Sequence, residues 1–177
     1  FPGGNSQDPE DLWQFLERYS QVTGGDVIAI PHNGNTSNGH MFALNTLDDE
    51  PLSAAYAKTR NRWEPIYEVT QIKGDSETHP RLSPDDEFAD FGTWNSWAGN
   101  TVNQPWDKGA IQRKQSEYAR SALKLGLKEQ QRLGINPFKF GLIGSTDAHT
   151  SLSTADDNNF WGKMSKDEPH SQRMFDP

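Results

Sequence analysis

The sequence predicts an α/β fold, and three short apolar runs carry that reading: residues 27–30, 66–72 and 140–144. Each is of strand length, and the first two are rich in β-branched or aromatic residues. Stretches of helical period stand between them, and each run gives way to a polar loop. Strands alternating with helices in this way build parallel α/β sheets.

The first helix opens at Asp8-Pro9, where Asp8 can accept from orphan backbone donors and the missing N–H of Pro9 costs nothing. Leu12, Phe15, Leu16, Tyr19 and Val22 recur at helical spacing, and Gly24-Gly25 ends the helix. Residues 27–30 follow as a strand expected to be buried on both faces, closing in Pro31-His32-Asn33. From 34 to 47 the Gly, Asn, Ser and Thr content, with His40 among them, predicts a surface loop. A helix is expected within 51–63, then a strand at 66–72, then a polar loop running to His79.

Ser83-Pro84-Asp85-Asp86 reads as a further capped helix start, with Asp85, Asp86, Glu87 and Asp90 on a solvated face. Residues 91–106 hold Trp94, Trp97 and Trp106 without a clean period, as a lid or the cover of a core edge would. One long helix is expected from about 108 to 133, with Tyr118, Ala119, Ala122, Leu123 and Leu127 on its apolar stripe. Gly134 and Pro137 stop it before the last strand. Residues 1–161 are taken as one domain portion and 162–177 as a polar tail along the surface.

The chain has 177 residues, an apolar fraction of 32% and a net charge of -8 from 17 basic and 25 acidic residues. With a mean hydropathy of -0.89, the core must be small relative to its loops. The acidic balance argues against a nucleic-acid or anionic-membrane surface. No run approaches the roughly 18 apolar residues of a membrane span and no signal-peptide layout opens the chain, so a soluble protein of open compartment is expected. Cysteine is absent, so a metal here would be held by His, Asp or Glu.

His32, His79, Asp147 and His149 each stand just after a predicted strand or in the loop leaving it. In a parallel sheet these loops share one edge, where residues distant in sequence meet. Imidazole and carboxylate suit zinc, manganese or iron. Asp147 and His149 are the catalytic candidates, two residues apart and so on one side of an extended chain. Glu68 lies inside an apolar strand and must meet a cation, donors or water. His40, Lys73, Arg81 and Arg62 are candidates for supporting or phosphate-contacting positions.

Ile-Pro-His32-Asn, Tyr-Glu68-Val followed by His79, and Gly-Ser-Thr-Asp147-Ala-His149 resemble the later metal motifs of the polymerase and histidinol phosphatase (PHP) superfamily. More closely, they resemble an uncharacterised bacterial PHP-like group classed as a domain of unknown function, over about residues 9–161. The resemblance implies the C-terminal half of a distorted (β/α)7 barrel with two or three divalent ions at the strand ends. It assigns His32 and His79 to one ion of a paired site, Asp147 to the second and His149 to a third. It implies a hydrolase of phosphoesters acting on a small-molecule substrate. It also implies ligands upstream of Phe1, so this chain is expected to be catalytically incomplete and to pair with a missing N-terminal segment or with itself. The alternatives are hydrolysis of another bond by the same metals, and a carbohydrate- or ligand-binding module using the Trp-rich loop.

Overall fold

The Asp8 carboxylate accepts from the Glu10 N–H at 2.9 Å, Pro9 sits in the first turn and Gly24 closes the helix at φ 71°. These fix α1 (Pro9–Thr23) at the ends its sequence predicts. Of the expected apolar stripe, Leu16 packs against the core while its C-terminal end, Tyr19 and Val22, is exposed. Trp13 is its buried residue, set edge-on to Tyr56, whereas Val22 is 86% exposed.

The computed structural model describes residues 6–94 and 110–149, with positions 158, 164, 170–172 and 175. After α1 come α2 (Ala54–Trp63), β1 (Ile66–Gln71), β2 (Gly74–Asp75), α3 (Ala110–Gln115), α4 (Ala119–Leu133) and β3 (Gly141–Gly144). The fold is mixed α/β around a small three-stranded sheet of order β2-β1-β3. β1 pairs antiparallel with β2 and parallel with β3, with a bulge between Glu68 and Thr70. No described helix is long and apolar enough to cross a membrane.

Residues 27–30 do not form the buried strand that their composition predicts. They run beside β1 and parallel to it, tied by Ala29 N–H to the Trp63 carbonyl at 2.8 Å and Glu68 N–H to the Pro31 carbonyl at 3.1 Å. Between those bonds stand Pro31 and Pro65, which have no N–H, so a continuous ladder cannot form. Ile28 and Ile30 are 48% and 40% exposed. Alternate residues of a strand serve opposite edges. Pro65 accepts from Gly141 and Glu68 donates to Pro31, so 27–31 and β3 flank β1 on opposite sides. Three parallel segments thus lie side by side in chain order.

The core gathers on the Tyr67 face of β1. Phe42 stands edge-on to Tyr67 and Phe138, with ring centroids 5.0 and 5.4 Å away, and stacks on Phe140 at 5.3 Å. Leu52, Trp63, Ala119 and Ala122 complete the cluster. Phe42 belongs to the stretch expected to be a surface loop, and so do the buried Asn35 and Thr36. Their polar groups are satisfied inside: Asn35 donates to the Lys73 carbonyl and its side-chain oxygen accepts from Ser76. Gly34 is pressed between the Tyr67 hydroxyl and the Glu117 carbonyl, where a Cβ has no room.

The expected long helix is broken into α3 and α4. Phe42 N–H takes the Ser116 carbonyl at 2.9 Å, and Tyr118 is extended at φ -114°. The first donors of α4 are capped by another segment's backbone, Ala119 N–H on Ser76 and Arg120 N–H on Glu77. Its buried stripe is Ala119, Ala122, Gly126 and Glu129, with the Asn136 side chain seated on Gly126. Leu123 and Leu127 face outward at 37% and 63% exposure. Residues 83–91 form successive turns instead of a helix. The Ser83 hydroxyl bonds Thr78 and the Asp86 carboxylate accepts from Phe88 N–H, which draws both away from helix capping. Trp97, Trp106 and most of residues 162–177 lie outside the described residues.

Candidate metal centre

Because 27–31, β1 and β3 run parallel, their carboxyl ends lie at one edge, the side on which α/β folds place their chemistry. His32 leaves the first segment, Lys73 follows β1, and Asp147 and His149 follow β3. One contact joins the ends of β1 and β3, and a second lies within the turn after β3. The Lys73 ammonium pairs with the Asp147 Oδ2, both side chains being about seven-eighths buried, at 13% and 14% exposure. The His149 Nδ1 lies 4.0 Å from the Asp147 Oδ1.

Asp147 holds a left-handed backbone, φ 54°, which aspartate tolerates better than most residues. Asn33, next to His32, has φ 60°. Both turns redirect the chain just past a segment end. Beyond Asp147, the Thr146 hydroxyl accepts from Ala148 N–H at 3.2 Å.

The histidines divide by the hydrogen bond each ring makes. In His32 the Nδ1 faces the Ile30 carbonyl at 3.1 Å, and in His149 it faces the Asp147 carbonyl at 2.8 Å. A carbonyl only accepts, so the proton sits on Nδ1 and the lone pair on Nε2. That is the orientation of a metal-ligating imidazole, its other nitrogen fixed by an acceptor. His79 is the reverse: its Nδ1 accepts from Arg81 N–H at 3.2 Å, which leaves the neutral ring's proton on Nε2. It is 5% exposed and packs near the Tyr118 ring. To ligate through Nε2, His79 must give up the Arg81 bond.

The donors Asp147, His149 and His32 fit a divalent ion in type, as carboxylate and imidazole. Among the described residues no three His, Asp or Glu side chains are grouped to share one ion. Glu68 is buried and its Oε2 accepts from Gln71 at 2.8 Å, a donor in place of a cation. His40 is exposed at a rim shared with His32. Arg62 stacks on Trp63 at 4.6 Å, and Arg81 is exposed in the loop after β2. Sequence reasoning missed the Lys73–Asp147 pair. Opposite charges at two strand ends are its only signal, and they cannot be matched without the parallel register.

A family model described as "Protein of unknown function (DUF3604)" matches residues 1–176, and the chain belongs to that family. No curated protein and no solved structure matches the chain.

Proposed function

We propose that this chain carries the later ligands of a metal-dependent phosphoester hydrolase of the PHP type. The observation that supports this most is the pairing of Asp147 with His149 just past the carboxyl end of β3, with Lys73 reaching Asp147 from the end of the parallel neighbour β1. Asp147, His149 and His32 would hold zinc, manganese or iron, and His79 joins them if its ring turns over. Bound there, the metal would activate water and offset charge on the phosphoryl oxygens. The chain's own groups supply the rest. The two backbone carbonyls hold the His32 and His149 rings with Nε2 outward. Lys73 screens the Asp147 carboxylate, and its ammonium can turn to a phosphate oxygen as a point charge.

Titration with Mn²⁺ or Zn²⁺ by calorimetry, beside an assay on 4-nitrophenyl phosphate, tests the proposal. Asp147→Ala and His149→Ala should each weaken metal binding by more than the roughly hundredfold that loss of an outer-shell partner costs and abolish any turnover. His79→Ala should weaken it less. Hydrolysis that survives both Asp147→Ala and chelation would sink the metal mechanism.

A further inference from the structure

A cleft of about 630 Å³ opens beside His32, between the start of α1, residues 29–47 and α2. Its volume falls within the range of small-molecule sites. The walls are mostly aliphatic, formed by Leu12, Ile30, Pro31, Met41 and Leu47. The floor is a buried ion pair, Arg60 Nε on Glu64 Oε2 at 3.0 Å. That pair is already engaged. Glu64 Oε1 accepts from the Trp13 indole at 2.9 Å, and an Arg60 Nη donates to the Met41 carbonyl at 2.8 Å. The guanidinium also lies on the Phe42 and Phe138 rings, 5.5 and 5.0 Å from their centroids.

A sugar or nucleotide needs many unpaired donors and acceptors deep in its site. Here the deep polar groups are largely spent on one another. Ser37, Asn45 and Thr46 are likewise engaged, with Met41, Asp49 and Glu50; what remains is mostly apolar wall with Gln7 and Tyr56 on it, while His32 and His40 stand exposed. Of these two, His32 is the one whose ring is oriented by a backbone carbonyl, with Nε2 as its acceptor nitrogen.

We infer that the cleft holds the organic group of the substrate, an aryl or branched alkyl body about the size of a naphthyl ring, with the phosphate turned toward His32. The inference rests on the hydrolase reading for the phosphate and on the cleft alone for the apolar group. The two are separable because occupation of the cleft needs neither metal nor turnover.

The test follows the methyl resonances of Leu12, Met41 and Leu47 in the metal-free protein as 2-naphthol and 2-naphthyl phosphate are added. All three should shift with both compounds, while the methyls of Leu142 on β3 stay still. Ala43→Phe fills the cleft and should weaken both naphthyl compounds about tenfold, leaving inorganic phosphate binding with Mn²⁺ unchanged. Should that variant fail to fold, Leu12→Ser on α1 serves in its place and should weaken them in the same direction. Silent cleft methyls, or equal affinity in the folded variants, would overturn the inference even if phosphoesters are hydrolysed. Cleft methyls that shift with 2-naphthol but not with 2-naphthyl phosphate would overturn the placement of the phosphate at His32 and the substrate assignment with it, whether or not this chain turns the ester over.

Discussion

β1 serves two regions of opposite character. Tyr67 on one face is 1% exposed and locked among Phe42, Phe138 and Phe140, whereas β3, at its edge, is exposed along all four residues and leads into a left-handed aspartate and an ion pair. The aromatic face is held by many dispersion contacts that no single polar group controls. The strand-end region is held by a few directed contacts and a backbone turn of limited tolerance. The difference teaches where folding energy and chemistry reside on one strand: substitutions on the face should cost stability, and those at the end should cost function.

The largest effect is expected on the face. Phe42→Ala removes the ring at the centre of the cluster and should cost about 3–5 kcal/mol in urea unfolding. A loss below 1 kcal/mol would break the contrast between the regions. At the strand end, Asp147→Ala should cost roughly 1–3 kcal/mol, because Lys73 loses its carboxylate, and the fold should survive for the metal titration. A smaller difference sharpens the backbone argument. Asp147→Gly should be more stable than Asp147→Ala by about 1 kcal/mol, since glycine accepts φ 54° and alanine does not.

The smallest expected effect is a pH slope. Glu117 is fully buried, and desolvation raises its pKa above the ordinary 4.5 despite the Lys114 ammonium 2.7 Å away. A raised carboxyl pKa means the folded state binds the proton more tightly. Its contribution to stability is therefore fully present below pH 4.5 and is lost as pH rises through the raised value. Glu117→Gln should flatten the decline in that window, measured by urea midpoints across pH. An unchanged slope would show that another group sets it.

The helix ends were legible because caps are local: Asp8-Pro9, Gly24 and Gly134 each act within one turn. The strands at Ile66–Gln71 and Gly141–Gly144 were legible for the same reason, being short apolar runs between loops. What failed depended on distant partners. Residues 27–30 read as a strand, but Pro65, thirty-odd positions away, denies them a ladder donor. The helix expected through 108–133 breaks because Phe42, Ser76 and Glu77 claim its backbone groups. Burial of Asn35 in a Gly- and Asn-rich loop follows from Ser76 and Lys73 waiting inside. At the strand ends, Asp147 and His149 were visible as a spaced pair. The opposite ring orientations of His79 and His149 were not, since each is set by one backbone contact.

The Lys73–Asp147 contact spans 74 residues, and the β1–β3 pairing that supports it spans as many or one more. Closing such a loop sacrifices chain entropy before any contact offsets it. α1 and α2 meet through a shorter loop, Trp13 packing on Tyr56. The strand-end region is therefore expected to assemble late and to open early, with β3 amides exchanging with deuterium sooner than those in the middle of β1. A polypeptide in which Phe140 has reached Tyr67 and Phe42 already holds β3 near β1, so only the turn at Asp147 and its contact with Lys73 remain to form, and uptake of the proposed metal would report that last local step.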